Sequence, residues 1–213
     1  MAPAVVLTVL VTGSATVSLA LSATGLMPLV GTPHLTWSAF ATLAPDLPGS
    51  LLVSLLTATA STVAAGTAGM VIAVLILSSR RGARVLAAAT MAPVPVAHLV
   101  GAASVGLLLS DAGLLDRLTG VQPTSWPHLV AARVPVAVVT EFAWKESAFV
   151  ALVVTAAVAP TLKEYHEAAT VLGSSARQRT TMVTVPLAMP ALAASCAIVF
   201  VYTLGSYEVP WLL

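Results

Sequence analysis

Long apolar runs separated by short polar segments form the main pattern of this chain. Five runs stand out, at residues 4–30, 50–78, 85–109, 128–159 and 188–208. Each run is longer than the roughly 18 residues that mark a candidate membrane span. Their Ala/Leu/Val sequences lack the alternation of barrel strands, and backbone polar groups in lipid must be satisfied within a helix. The pattern therefore predicts an all-α fold, a polytopic transmembrane helical bundle with about five spans.

The segment before the second run predicts a division of the chain. Residues 1–49 are expected to form the first span and an extracytoplasmic loop, and residues 50–213 the main transmembrane domain. The loop contains Trp37 and Phe40, and aromatic side chains of this kind suit the membrane interface. We expect a short interfacial helix there.

Small residues and prolines distinguish the second and third runs. In the second run, small residues recur at every fourth position, namely Ser61, Ala65, Gly69 and Ala73. Such a stripe lets another helix approach closely, although an Ala/Gly-rich composition alone would also produce it. In the third run, Pro93 and Pro95 predict a break that frees carbonyl groups. His98 follows the break, and we interpret it as an interhelical hydrogen-bonding residue rather than a substrate contact.

The distribution of basic residues predicts the orientation. Arg80, Arg81 and Arg84 follow the second run directly, and short loops rich in arginine stay in the cytoplasm. The N-terminus is then cytoplasmic, and so is the loop at residues 160–187. Composition agrees with a membrane location, because the chain is 58% hydrophobic and only 8% charged, against about 25% charged in soluble domains.

The loop at residues 160–187 has the local signals of two helices joined by a turn. Good helix formers precede Gly173, which can end a helix in the left-handed conformation. Ser174 and Ser175 can cap a second, short helix. Pro186 then marks the start of the fifth apolar run.

A family motif lies within this loop. Its parts are Glu167-Ala168-Ala169, Gly173 and Val183-x-Val185-Pro186. They closely resemble the EAA loop of the membrane permeases of binding-protein-dependent ABC importers, with Leu172 in place of the usual aspartate and Val185 in place of the usual leucine. The resemblance implies that the loop docks onto a cytoplasmic ATPase through Glu167, Ala168, Ala169, Gly173, Val183 and Pro186. An ordinary amphipathic cytoplasmic loop is the alternative.

The resemblance also implies a set of partners and a substrate class. The chain would be a permease subunit of the cell (inner) membrane. It would pair with a second permease subunit in a homo- or heterodimer, and assemble with two ATPases and an extracytoplasmic substrate-binding protein. A stretch at residues 202–210 is similar to permeases for polyamines, iron and phosphonates, which favours a small polar solute. The family pattern continues past Leu213, so we expect a sixth span to be missing here.

Charged residues inside the fourth run are candidates for the translocation path. Glu141 and Lys145 are four residues apart, in the favourable order for a helical ion pair, and Glu146 needs a partner of its own. Ionisable residues at membrane depth face a cavity or a partner. Two interpretations stay open, namely a self-neutralising pair that fixes helix packing and a lining of the path.

The end of the fifth run and the start of the fourth hold further candidates. Gly205, Ser206 and Pro210 can unwind a helix and expose backbone groups. Glu208 would either attract a cation or lie at the interface. Arg133 is expected to extend to the lipid headgroups.

The sequence argues against several other classes of function. It has no Walker A loop, so ATP should bind to the partner ATPase and this chain should need no cofactor. Its histidines and its single cysteine, Cys196, lack metal-ligand spacing. Neither a catalytic triad context nor a basic cluster for nucleic acid is present, so we expect no enzyme activity. The alternatives are an ion-coupled secondary transporter or channel, and a non-transporting membrane scaffold.

Overall fold

A computed structural model describes residues 2–28, 30–78, 82–120, 126–132 and 134–213. Within these ranges the regular structure is entirely helical, which confirms the all-α prediction. The helices are α1 (Ala2–Ala23), α2 (Ser38–Leu43), α3 (Leu47–Ser78), α4 (Ala83–Met91), α5 (His98–Leu109), α6 (Leu114–Thr119), α7 (Val136–Val171), α8 (Ala176–Arg179), α9 (Val185–Gly205) and α10 (Glu208–Leu212).

Five helical segments among the described residues are long and apolar enough to cross a membrane. They are Pro3–Ala23, Leu47–Ser78, His98–Thr119, Val136–Val171 and Ala176–Gly205. Large apolar side chains are exposed along their outer faces, as expected where lipid rather than water surrounds a helix. The protein is therefore a multi-pass helical membrane protein, as the apolar runs predict.

The chain divides into two compact units, Met1–Val53 and Ser54–Leu213, with the boundary inside α3. In the first unit, α1 ends in a turn at Gly25, which has a φ of +74°. The backbone N–H of Thr36 donates to the carbonyl of Thr24 at 2.9 Å, which closes the loop on itself. The short helix expected near Trp37 and Phe40 is α2, and the two rings lie 5.5 Å apart.

The second unit is built around α7. Val150, Val154 and Val158 of α7 are buried against small residues of α3 and α9. The predicted stripe on α3 is buried at all four positions. A Cβ added to Gly69 would lie 2.6 Å from the Cβ of Val150, so the two helices approach too closely for any larger residue. This confirms that the stripe is a packing surface.

A second core joins α5, the start of α7 and α10. Ala102 and Val105 of α5 pack with Phe142 of α7 and with Val209 of α10. The backbone N–H of Ala131 donates to the carbonyl of Leu213, which connects the segment before α7 to the end of α10.

Two spans begin and end at different residues from those predicted. In the third run the helix breaks between Met91 and His98, and both prolines lie in the gap. The break predicted at Pro93 and Pro95 is therefore confirmed, and it divides residues 85–109 between α4 and α5. Proline supplies no N–H for the helix and restricts the residue before it. In the fourth run, α7 begins only at Val136 and continues through Pro160 to Val171. Its length of about 54 Å exceeds a bilayer core of about 30 Å.

Several residues used in the sequence argument lie outside the described residues. These are Arg80 and Arg81, on which the orientation chiefly depends, and Arg133. Arg84 is described and lies in the first turn of α4. The cytoplasmic position of the N-terminus remains a prediction.

Candidate functional site

The turn after α7 ends the helix at a glycine, as predicted. Gly173 has a φ of +80°, and its N–H donates to the carbonyl of Thr170 at 2.9 Å. The N–H of Ser174 donates to the carbonyl of Ala169 at 3.1 Å. These bonds satisfy carbonyls that a helix end leaves free. Nothing lies within 4 Å of a Cβ added at Gly173, so only its backbone conformation requires glycine.

A capping box begins the short helix α8. Ser175 Oγ accepts from the backbone N–H of Gln178 at 3.3 Å, and Gln178 Oε1 accepts from the backbone N–H of Ser175 at 2.8 Å. The capping role of Ser175 is therefore confirmed. Gln178 was missed, although the Ser-x-x-Gln spacing is a recognised signal for this box. The guanidinium of Arg179 also donates to the carbonyl of Ser174 at 2.7 Å, which fixes α8 against the turn.

A π-helical turn at Thr180–Thr184 joins α8 to α9. Pro186 lies in the first turn of α9 and cannot donate a backbone hydrogen bond, which favours a locally widened helix. His166 of α7 lies 2.9 Å from Thr184 through its Nε2 and the threonine Oγ1. This contact holds the end of α7 against the π-helical turn.

The motif residues and their neighbours form an exposed surface at this turn. Ala169 and Val183 are half-buried and line one surface depression together with Met182. The other four motif residues, Glu167, Ala168, Gly173 and Pro186, are exposed.

The apolar side chains at the tip have little cover from the chain itself. Val171 is 88% exposed, Leu172 87% and Met182 72%. Glu167 lies 3.8 Å from Lys163 on the same helix. It makes no hydrogen bond within the turn among the described residues.

The second group of candidates is a buried charged cluster around His98, which we call the His98 cluster. It consists of His98, Glu141, Lys145 and Glu146. His98 Nδ1 lies 3.1 Å from Glu141 Oε1, and His98 Nε2 lies 3.2 Å from Glu146 Oε1. Glu141 is fully buried, and α5 and α7 are thereby joined through one imidazole ring. The interhelical hydrogen bond expected of His98 is confirmed.

The pair predicted between Glu141 and Lys145 does not form. No ion pair within 4.0 Å joins these two described side chains, and Lys145 instead donates to the carbonyl of Val96. The reason is that each group has a better partner from elsewhere in the fold. His98 lies between the two glutamates, and the proline-rich break before α5 leaves the Val96 carbonyl outside a helix. The partner that Glu146 requires is therefore His98 of α5.

Aromatic rings and a glycine complete the surroundings of His98. Its ring centroid lies 5.0 Å from that of Tyr202 on α9 and 5.6 Å from that of Phe142. A Cβ at Gly101, one turn along α5, would lie 2.7 Å from Glu141 Oε1. Any larger residue at that position would require the Glu141 carboxylate to shift. Tyr202 was noted only as the first residue of the stretch at 202–210, and neither Gly101 nor Val96 was predicted, since only the fold brings these residues to the charged side chains.

The remaining path candidates, Ser206 and Glu208, lie at the helix break between α9 and α10. Ser206 is extended, with ψ at 133°, so the predicted unwinding occurs there. Its Oγ has no hydrogen-bond partner in the part of the chain that the structure describes. Glu208 is exposed in the first turn of α10. No hydrogen bond or ion pair between described residues joins either of them to the His98 cluster.

Among the described residues, no group of three or more histidine, cysteine, aspartate or glutamate side chains is arranged to hold a metal ion.

Comparisons with known proteins do not assign a family. No protein-family model matches the chain, and no curated protein matches it. Its class is that of a multi-pass helical membrane protein with a buried charged cluster and an exposed, capped turn.

Proposed function

We propose that this chain is the transmembrane permease subunit of an ATP-driven ABC importer. It would form the path for a small polar solute and couple to a cytoplasmic ATPase through the loop at residues 160–187. The observation that carries this proposal is the turn at Gly173, where a helix, a left-handed glycine and a capped short helix occur in the order of the EAA motif.

The shape and chemistry of the turn favour a docking role. Apolar side chains at its tip are exposed, and exposed apolar groups of this kind mark sites of protein–protein contact. Basic and acidic side chains surround them, including Lys163 and Glu167, whose mutual pair is weak at this exposure. Because this pair is weak, both side chains can instead form ion pairs with charged groups of a partner protein.

Helix α7 connects the turn to the interior of the bundle. It begins near the His98 cluster and ends two residues before Gly173. A partner that moved the turn would therefore act on the same helix that carries Glu141 and Glu146. In this proposal a second permease subunit, two ATPases and an extracytoplasmic binding protein complete the importer, and ATP binds only to the ATPases. The N-terminus and the turn would face the cytoplasm of a cell membrane.

Co-purification with an ATPase subunit encoded nearby tests the proposal. Met182→Asp places a charge on the exposed tip and should abolish co-purification and substrate-stimulated ATP hydrolysis. Leu35→Asp, in the loop between α1 and α2, is the control, because this apolar side chain is also exposed (65%) and lies outside the five apolar segments, and it should retain both. If Met182→Asp retains both co-purification and substrate-stimulated ATP hydrolysis, the tip is not a docking surface.

Gly173→Pro tests the coupling role within the same complex. Proline holds φ near −65°, whereas Gly173 has +80° and uses its N–H. The variant should lose ATP-dependent uptake while the protein still inserts in the membrane. Intact uptake would contradict the coupling role.

A second candidate, an ion-coupled secondary transporter, is favoured by the His98 cluster and by the helix breaks before α5 and α10. Uptake that is sensitive to vanadate and requires the ATPase supports the importer. Uptake that an uncoupler alone abolishes supports the secondary transporter.

A further inference from the structure

Both ring nitrogens of His98 face carboxylate oxygens. Nδ1 lies 3.1 Å from Glu141 Oε1 and 3.4 Å from its Oε2, and Nε2 lies 3.2 Å from Glu146 Oε1. The three residues come from two helices, with His98 at the start of α5 and both glutamates on α7. Side-chain exposure is 0% for Glu141, 12% for Glu146 and 18% for His98.

This geometry fixes a proton count. An ionised carboxylate can only accept hydrogen bonds, and a neutral imidazole has one donor and one acceptor nitrogen. If both carboxylates were ionised and the ring were neutral, the lone pair of the unprotonated ring nitrogen would face a carboxylate oxygen, and the two would repel each other. One added proton removes the conflict, either as an imidazolium between two carboxylates or as a neutral ring that accepts from a glutamic acid. In both forms the three groups carry a net charge of −1.

The neighbouring charges compensate that net charge. Lys145 is 6% exposed and lies on the same helix as the glutamates, so its ammonium group brings the His98 cluster to neutrality. Tyr202 of α9 and Phe142 of α7 cover the ring, and Glu208 of α10 is exposed. Loss of the proton would leave an uncompensated negative charge among apolar helices, which is costly.

We propose that Glu141, His98 and Glu146 form a proton-binding site within the membrane-spanning helices, which holds one proton between the two carboxylates. The ligand is the proton itself. The site does not depend on the proposed importer function, because it follows from the hydrogen-bonding capacity of three side chains. It assigns a role to His98 as the bridging group, in addition to its role in packing.

Nitrogen NMR of the full-length protein in lipid vesicles at pH 7.5 tests the proton count. The protein is labelled at histidine, and the His98 signals are identified by their loss in His98→Gln. Two protonated ring nitrogens support the site. One protonated nitrogen supports it only if infrared spectra also show a buried carboxylic acid band that Glu141→Gln or Glu146→Gln removes. One protonated nitrogen without that band overturns the proposal.

Glu146→Gln provides a second test that keeps His98 in place. A glutamine amide can donate to Nε2, so the variant needs no added proton and should gain one non-protonated ring nitrogen, or lose the acid band. The matched control is Glu208→Gln, which alters an exposed carboxylate and should leave both signals unchanged. Spectra of Glu146→Gln that match the unaltered protein would remove Glu146 from the site and overturn it.

Discussion

The His98 cluster and the turn at Gly173 satisfy their polar groups in opposite ways, the first through residues far apart in the sequence and the second through near neighbours. In the cluster, His98 and Glu141 are 43 residues apart and meet only because α5 packs on α7. In the turn, the capping bonds join Ser175 to Gln178, three residues away. The first arrangement depends on tertiary packing in a medium that penalises unpaired charge, and the second depends on local backbone geometry in an exposed segment. Substitutions should therefore affect global stability in the cluster and local order in the turn.

The largest effect is expected from Glu141→Ala. It removes a fully buried carboxylate, and breaking a buried charged pair costs about 3–5 kcal/mol. The free energy of unfolding, measured by denaturant titration in mixed micelles, should fall by that amount. Glu208→Ala removes an exposed carboxylate and should change it by about 0.5 kcal/mol or less. Equal losses in the two variants would contradict the distinction between the two regions.

Gly101→Ala should destabilise the cluster without removing a charge. The added Cβ would lie 2.7 Å from Glu141 Oε1 and 3.1 Å from Lys145 Cδ, and such overpacking costs about 1–3 kcal/mol. Gly106→Ala on the same helix is the control. Its Cβ would lie 3.3 Å from the flexible end of Leu213, so better helix propensity should offset the contact. The same unfolding titration measures both, and a neutral Gly101→Ala would show that the carboxylate can move aside.

In the turn, Gly173→Val should cost about 1–2 kcal/mol, because a β-branched residue is strained at positive φ. The loss should be confined to the turn, where faster hydrogen exchange of the Ser174 amide would report it. Gly173→Asn adopts the left-handed conformation more readily and should leave exchange nearly unchanged. If both variants behave alike, the conformation of Gly173 is not what ends α7.

The smallest effect is expected from Ser175→Ala, which removes one half of the capping box and costs about 1 kcal/mol. Exchange at the Gln178 amide, which donates to Ser175 Oγ at 3.3 Å, should accelerate about fivefold. Thr181→Ala is the control, since its hydroxyl donates to the carbonyl of Arg177 and takes no part in the cap. A change in global unfolding in either variant would mean that the turn is not energetically local.

The contrast also explains how much could be predicted from sequence. Gly173, Ser175 and the stripe around Gly69 were predictable, because a left-handed glycine, a cap and a four-residue repeat are local patterns. The partners of Glu141 and Lys145 were not, because the local rule for residues four apart favoured pairing them with each other. The fold supplied His98 and the Val96 carbonyl instead. The prolines predicted the break between α4 and α5, but the start of α7 at Val136 was missed, since hydropathy also registers the apolar residues that precede the helix.

Pro160 gives α7 a property beyond its length. The residue lies inside the helix, between Val158 and Leu162, which are both buried in the core. Because proline has no N–H, the carbonyl of Ala156 lacks its helical partner, and proline is a common cause of helix kinks. The missing hydrogen bond makes the stretch around Pro160 a place where α7 can bend. Because Leu162, beyond Pro160, is buried in the same core as Val154, a tilt of the turn would also displace a core side chain.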